Sequence, residues 1–148
     1  MDTDNTNEKA NLITEKFKSF ALTIDFMELS KEEYEKFFPE GTIKTPFGIV
    51  KLGVHQFEKM DEKGRKGLIA AMFWTLKDPV VIISEIVDSK EAWIYIKTFR
   101  ELGSLKITYI ISVIVNIDGQ NIAISTGKRK EKQIINKIKM ARSILYQK

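Results

Sequence analysis

The stretch Glu91–Thr126 constrains the fold most, because three runs rich in Ile, Val, Tyr, Trp and Phe follow one another in it. They are Glu91 to Arg100, Ile107 to Ile117 and Asn121 to Thr126. Asp118-Gly119, between the second and third, is a hairpin signal, since glycine takes the positive φ of a type I′ turn without steric cost. Val80 to Ile86 reads as a fourth strand, apolar on both faces except at Ser84 and Glu85, as a covered strand requires. In chain order these four make an antiparallel meander.

The flanking segments read as helix. Ile13, Phe17, Phe20, Ala21 and Ile24 recur at helical spacing and predict a helix over residues 11–25. Ser30 with Glu33 forms a capping box that opens a short helix, stopped at Pro39. Thr45 to Gly53 reads as a turn and a short strand. His55 to Met60 gives one or two helical turns, and Arg65 to Leu76 a helix with Leu68, Ile69, Met72, Phe73 and Leu76 as its buried stripe. Arg65 extends that stripe and so needs an anionic partner or an open cleft. Glu131 to Tyr146 reads as a basic C-terminal helix with Ile134, Ile138, Ala141 and Leu145 inward. The expected class is α+β: N-terminal helices, a four-stranded antiparallel β-meander and a basic C-terminal helix. The polar residues 1–9 are expected to be a disordered tail, and 10–148 a single domain.

Composition limits the chemistry. There is no cysteine, which removes disulfides and thiolate metal sites and suits a reducing cytoplasm. A single histidine, His55, excludes paired-histidine metal sites, and no carboxylate cluster calls for a metal or other cofactor. No apolar run is long enough for a membrane span. The net charge of +4 is unevenly distributed: residues 1–40 carry ten acids and five bases, residues 127–148 eight bases and one acid. A basic tail of this kind suits an anionic partner, most simply nucleic acid, or is a solvated helix face.

Within the strands, Trp93, Tyr95, Lys97 and Phe99 share one face. Aromatic rings beside an ammonium suit a nucleotide; a half-exposed sheet face with a snorkelling lysine has the same pattern. A two-residue Asp118-Gly119 loop places Ser112 opposite Ser125 and Asn116 opposite Asn121, whereas a bulged three-residue loop brings Thr126 opposite Ser112. These hydroxyls can bond each other or hold phosphate oxygens. Gly127-Lys-Arg-Lys130 could form an anion site at a helix start. It is no P-loop, because the full glycine-rich spacing is missing.

The segments Thr45-Pro-Phe-Gly, Val50-Lys-Leu-Gly53, Gln56, Lys59, Arg65, Leu76, Asp78-Pro79, Tyr95-Ile-Lys-Thr-Phe99, Ser112-Val and Ile124-Ser125 together resemble a phage- and prophage-associated nuclease-like family. It belongs to the barnase–EndoU–colicin–RelE superfamily. The resemblance implies helices followed by a four-stranded antiparallel sheet, and metal-independent RNA cleavage by 2′-OH attack. It further implies that Lys59, Arg65 and Lys97 clamp the phosphate, that Ser112 and Ser125 orient it, and that Gln56 and Thr126 contact substrate. An acid–base role falls to Lys97, Glu85 or Tyr95, which the sequence does not separate. Family members often carry histidine just after the last strand's serine, where this chain has Thr126-Gly127. The implied partners are RNA and an antitoxin or phage structural protein. The alternative is a catalytically inactive RNA- or protein-binding module of the same fold.

Overall fold

The computed structural model describes residue 11, residues 13–53 and residues 55–148. The expected N-terminal tail, residues 1–9, lies outside the described residues. Helix α1 covers residues 13–19. Then follow β1 (Leu22–Ile24), α2 (Lys31–Phe37), β2 (Thr42–Thr45), β3 (Gly48–Leu52), α3 (Gln56–Glu62) and α4 (Ile69–Lys77). The second half comprises β4 (Val81–Val87), β5 (Lys90–Glu101), β6 (Ile107–Ile117), β7 (Gln120–Arg129), α5 (Glu131–Met140) and β8 (Ser143–Gln147).

The eight strands among the described residues form one curled, mixed sheet in the order β2-β3-β7-β6-β5-β4-β8, with β1 beside the far half of β5. This corrects the expected architecture of N-terminal helices on a four-stranded meander. Strands β4 to β7 do pair antiparallel in sequence order. The meander is only the middle of the sheet, however, and two parallel pairings, β1 with β5 and β3 with β7, make the sheet mixed.

The differences have local causes. The expected first helix stops before Leu22, and Leu22–Ile24 pairs in parallel with Phe99–Glu101. The expected C-terminal helix ends at Met140, because Ala141 takes an extended conformation with ψ 142. Ser143–Gln147 then adds to the edge of β4. In both places an apolar residue every third or fourth position fits a helix and also a helix followed by a short strand. The capping box forms as read: Glu33 N–H donates to Ser30 Oγ, and Ser30 N–H to Glu33 Oε1.

The sheet buries both faces. Ile82, Tyr95, Phe99, Ile110 and Ile114 meet Ile69, Met72 and Leu76 of α4 on one side. Val81, Ile83, Ile94, Ile96 and Ile111 meet Ile13 and Phe17 of α1 and Ile134 and Ile138 of α5 on the other. The Thr98 hydroxyl ties α1 down by donating to the Phe17 carbonyl. Among the described residues no helix is long and apolar enough to cross a membrane.

Candidate nucleic-acid interface

The Asp118-Gly119 turn has both φ angles positive, at 52° and 81°. The two residues therefore supply the type I′ twist that the β6–β7 hairpin needs. From that turn the register runs Asn116↔Asn121 to Ile114↔Ala123 and then slips by one, giving Val113↔Ser125 and Ser112↔Thr126. Ile124 is the extra residue of a bulge. The slip decides which hydroxyls meet: Ser112 faces Thr126, not Ser125, and their Oγ atoms lie 2.9 Å apart, both buried. Each satisfies the other inside the sheet.

The bulge also marks where β7 loses its outer neighbour, for β3 accompanies it only from Asn121 to Ala123. Past that point outward carbonyls of β7 lack a strand partner. Side chains from α3 and the following loop take that place. Lys59 Nζ donates to the Ile124 carbonyl at 2.6 Å, and Arg65 Nη1 to the Thr126 carbonyl at 3.0 Å. Gln56, Lys63 and Ser125 complete the cleft. Its volume is only about 10 Å³. That is the room of about one water, so a phosphate does not enter it as it stands.

Three of the sequence-predicted residues lie elsewhere. Lys97 is 1% exposed, and its Nζ donates to the Asp78 carbonyl at 2.7 Å and to Asp78 Oδ2 at 3.3 Å. Asp78 caps the C-terminus of α4, so Lys97 places positive charge at the negative end of that helix. Burial pushes the Lys97 pKa down, against the upward pull of Asp78. Tyr95 is fully buried, its hydroxyl 2.8 Å from Thr45 Oγ1, and burial pushes its pKa up. Glu85 projects to the opposite face, where Lys137 of α5 holds it at 3.1 Å. The acid–base candidates are thus separated from Lys59 and Arg65. His55 is exposed at the N-terminal end of α3.

The larger concavity lies at the other end of β7. A groove of about 660 Å³ is lined by Lys18 of α1, Lys106 before β6, Lys128 and Arg129 of β7, and Lys130, with Glu101 and Glu131 as its acids. Tyr109 forms part of the wall, its pKa pushed up to about 12 by burial and by the Glu131 carboxylate. Lys128 Nζ sits 5.1 Å from the Phe26 ring centroid. Among the described residues, Lys18, Lys106, Lys128 and Lys130 form no ion pair, while Lys31, Lys66, Lys137, Arg142 and Lys148 each hold a carboxylate. Unneutralised charge therefore collects along this part of the surface.

Comparisons with protein-family models, with curated proteins and with solved structures find no match to this chain. The superfamily resemblance accordingly rests on the sequence segments alone.

The signal for the groove was present as Lys128-Arg-Lys130 and the basic excess of residues 127–148. Its expected form was a glycine loop at a helix start. The structure instead keeps Gly127–Arg129 inside β7 and starts α5 at Glu131. Sequence reading missed Lys18 and Lys106, which only the topology brings beside them.

Proposed function

We propose that this protein binds RNA through its phosphate backbone and does not cleave it, working in the cytoplasm. One observation carries the reading: the 660 Å³ groove presents five cations against two carboxylates. Cations that contact phosphate and release counterions give affinity without sequence preference. Among the described residues of the groove lining no ring stands free to stack a base, since Tyr109 is 5% exposed and the rest of the wall is charged, polar or aliphatic. The strand is held by its backbone.

Cleavage needs a group to take the 2′ proton and another to protonate the leaving oxygen. Lys97 and Tyr95 are buried in other contacts, and Glu85 lies on the far face. The ribonuclease reading keeps one favourable observation, the convergence of Lys59, Arg65 and Ser125 at the bulge. Incubation with RNA in excess EDTA separates the two. Intact RNA together with salt-sensitive binding supports the binding module; products ending in 2′,3′-cyclic phosphate, lost in Arg65→Gln, establish the nuclease.

A further inference from the structure

Between the bulge cleft and the basic groove lies one small position, Gly127. It is buried, and its φ is not in the left-handed region, so the backbone does not require glycine there. Space does. A Cβ built on Gly127 comes 3.0 Å from Arg129 Nη1 and 3.7 Å from both Cζ and Nη1 of Arg65.

Two guanidiniums therefore converge on the same point from different elements. Arg65 reaches it from the loop after α3 and Arg129 from the end of β7. Their separation is no greater than the sum of those distances. Each already donates through Nη1 to a β7 carbonyl, Arg65 to Thr126 at 3.0 Å and Arg129 to Lys128 at 2.8 Å. Neither forms an ion pair with a carboxylate among the described residues, where the ion pairs involve other cations. Both side chains are half-buried, so the repulsion between them is only partly screened. A guanidinium has five N–H donors in a planar fork, which leaves each with donors to spare after one carbonyl. Like charges brought together with unused donors match a tetrahedral oxyanion.

We propose that Arg65 and Arg129 form a discrete phosphate subsite over Gly127. It takes a phosphodiester of the bound strand, or a free phosphate ion, by hydrogen bonds from both forks once their flexible ends part to admit it. The proposal rests on the RNA-binding reading for the phosphodiester, though not for the free ion. The subsite joins the two cationic regions into one path along the outer edge of β7, with Lys128 and Lys130 on one side of it and Lys59 on the other. It also gives Arg65 two roles, capping the Thr126 carbonyl and meeting the anion.

The test uses the whole chain and two probes, inorganic phosphate and a short oligouridylate, with amide and arginine Nε resonances followed by NMR. Inorganic phosphate is expected to shift the Gly127 amide and the Nε signals of Arg65 and Arg129 together, with saturation. Arg129→Gln and Arg65→Gln should each weaken oligouridylate binding about tenfold, and the double variant by less than the product, because the two act on one group. Lys130→Gln should cost less and add independently. Gly127→Ala keeps both arginines but presses a methyl against the Arg129 fork, whose flexible end can shift so that the fold is kept. It should abolish the phosphate-induced shifts with the melting temperature little changed.

The subsite is overturned if phosphate leaves Gly127 and both Nε signals unmoved, or if Gly127→Ala and Arg129→Gln bind oligouridylate like the parent. The reading beneath it fails separately. Phosphate shifts at Gly127 without oligouridylate binding would keep the anion site and remove RNA as its source. Oligouridylate binding indifferent to Arg129 and Gly127 would do the reverse.

Discussion

Lys97 and Arg65 begin from similar positions in the sequence, each a cation set in an apolar stripe, and the fold uses them in different ways. Lys97 lies under the end of α4, is 1% exposed and spends its charge on the Asp78 carbonyl and carboxylate. Arg65 lies at the open edge of β7, half-buried, with one nitrogen on a carbonyl and the rest of its fork beside Arg129. The first closes a helix inside the core. The second closes a strand edge and still offers charge outward. What separates them is whether the backbone group that each cation meets is enclosed on all sides.

The largest effect should come from breaking the inner member of this pair. Lys97→Ala removes a buried side chain and a donor to a helix-terminal carbonyl, and should cost about 3 kcal/mol in urea unfolding. RNA affinity of the folded fraction should be unchanged. Lys97→Met fills most of the space and should cost less. pH sharpens the contrast. Burial holds the Lys97 pKa below its usual 10.5, so as pH approaches 10.5 the native state binds fewer protons at this group than the unfolded chain. Its contribution to stability therefore rises with pH through that alkaline window. The stability difference between parent and Lys97→Met should shift in the parent's favour over that range, as read from urea midpoints.

Next comes the bulge that sets the edge. Thr126→Val leaves the buried Ser112 hydroxyl without its 2.9 Å partner and should cost about 1–2 kcal/mol. Ser112→Ala combined with Thr126→Val removes both polar groups and should recover most of that loss. A double-mutant cycle measures the coupling. A cycle without coupling would mean that Ser112 does not depend on the slipped register.

These predictions rest on features that were unequally visible in the sequence. The four meander strands and the Asp118-Gly119 turn were legible because long apolar runs and a turn dipeptide agree with one another. Strands β1, β2 and β8 were not, being three to five residues long and too short to show a period. Leu22–Ile24 and Ser143–Gln147 lie directly after helices whose spacing they continue. The bulge at Ile124 had no local signal, since Ile suits a regular strand equally well; the pairing of Ser112 with Thr126 was expected only from a bulged three-residue loop, whereas the loop has two residues and the extra residue lies within β7. The cations were visible as residue types. Whether a cation caps, packs or faces a groove is decided by the tertiary neighbours. That is why Lys59 and Arg65 fall together at the edge while Lys97 and Glu85 fall on other contacts.

The outer member of the comparison responds through binding more than stability. Lys128→Gln and Lys130→Gln each remove an exposed charge that forms no ion pair among the described residues, and should change unfolding free energy by less than about 0.5 kcal/mol. Each should lower RNA affinity and reduce the magnitude of the slope of log affinity against log salt by about 0.7, the single-strand value per phosphate contact. A stability loss as large as that of Lys97→Ala would show that the groove cations are structural after all.

The most direct measurement is fluorescence anisotropy of labelled single-stranded RNA titrated with the parent protein in excess EDTA, across a salt series, with the RNA recovered and sized afterwards. Binding is expected with a salt slope approaching about 3 to 4 in magnitude, as five phosphate-contacting cations imply, and with RNA of unchanged length. Salt-insensitive binding or no binding would contradict the backbone-holding groove, and shortened RNA would contradict the claim that the strand is held without being cut.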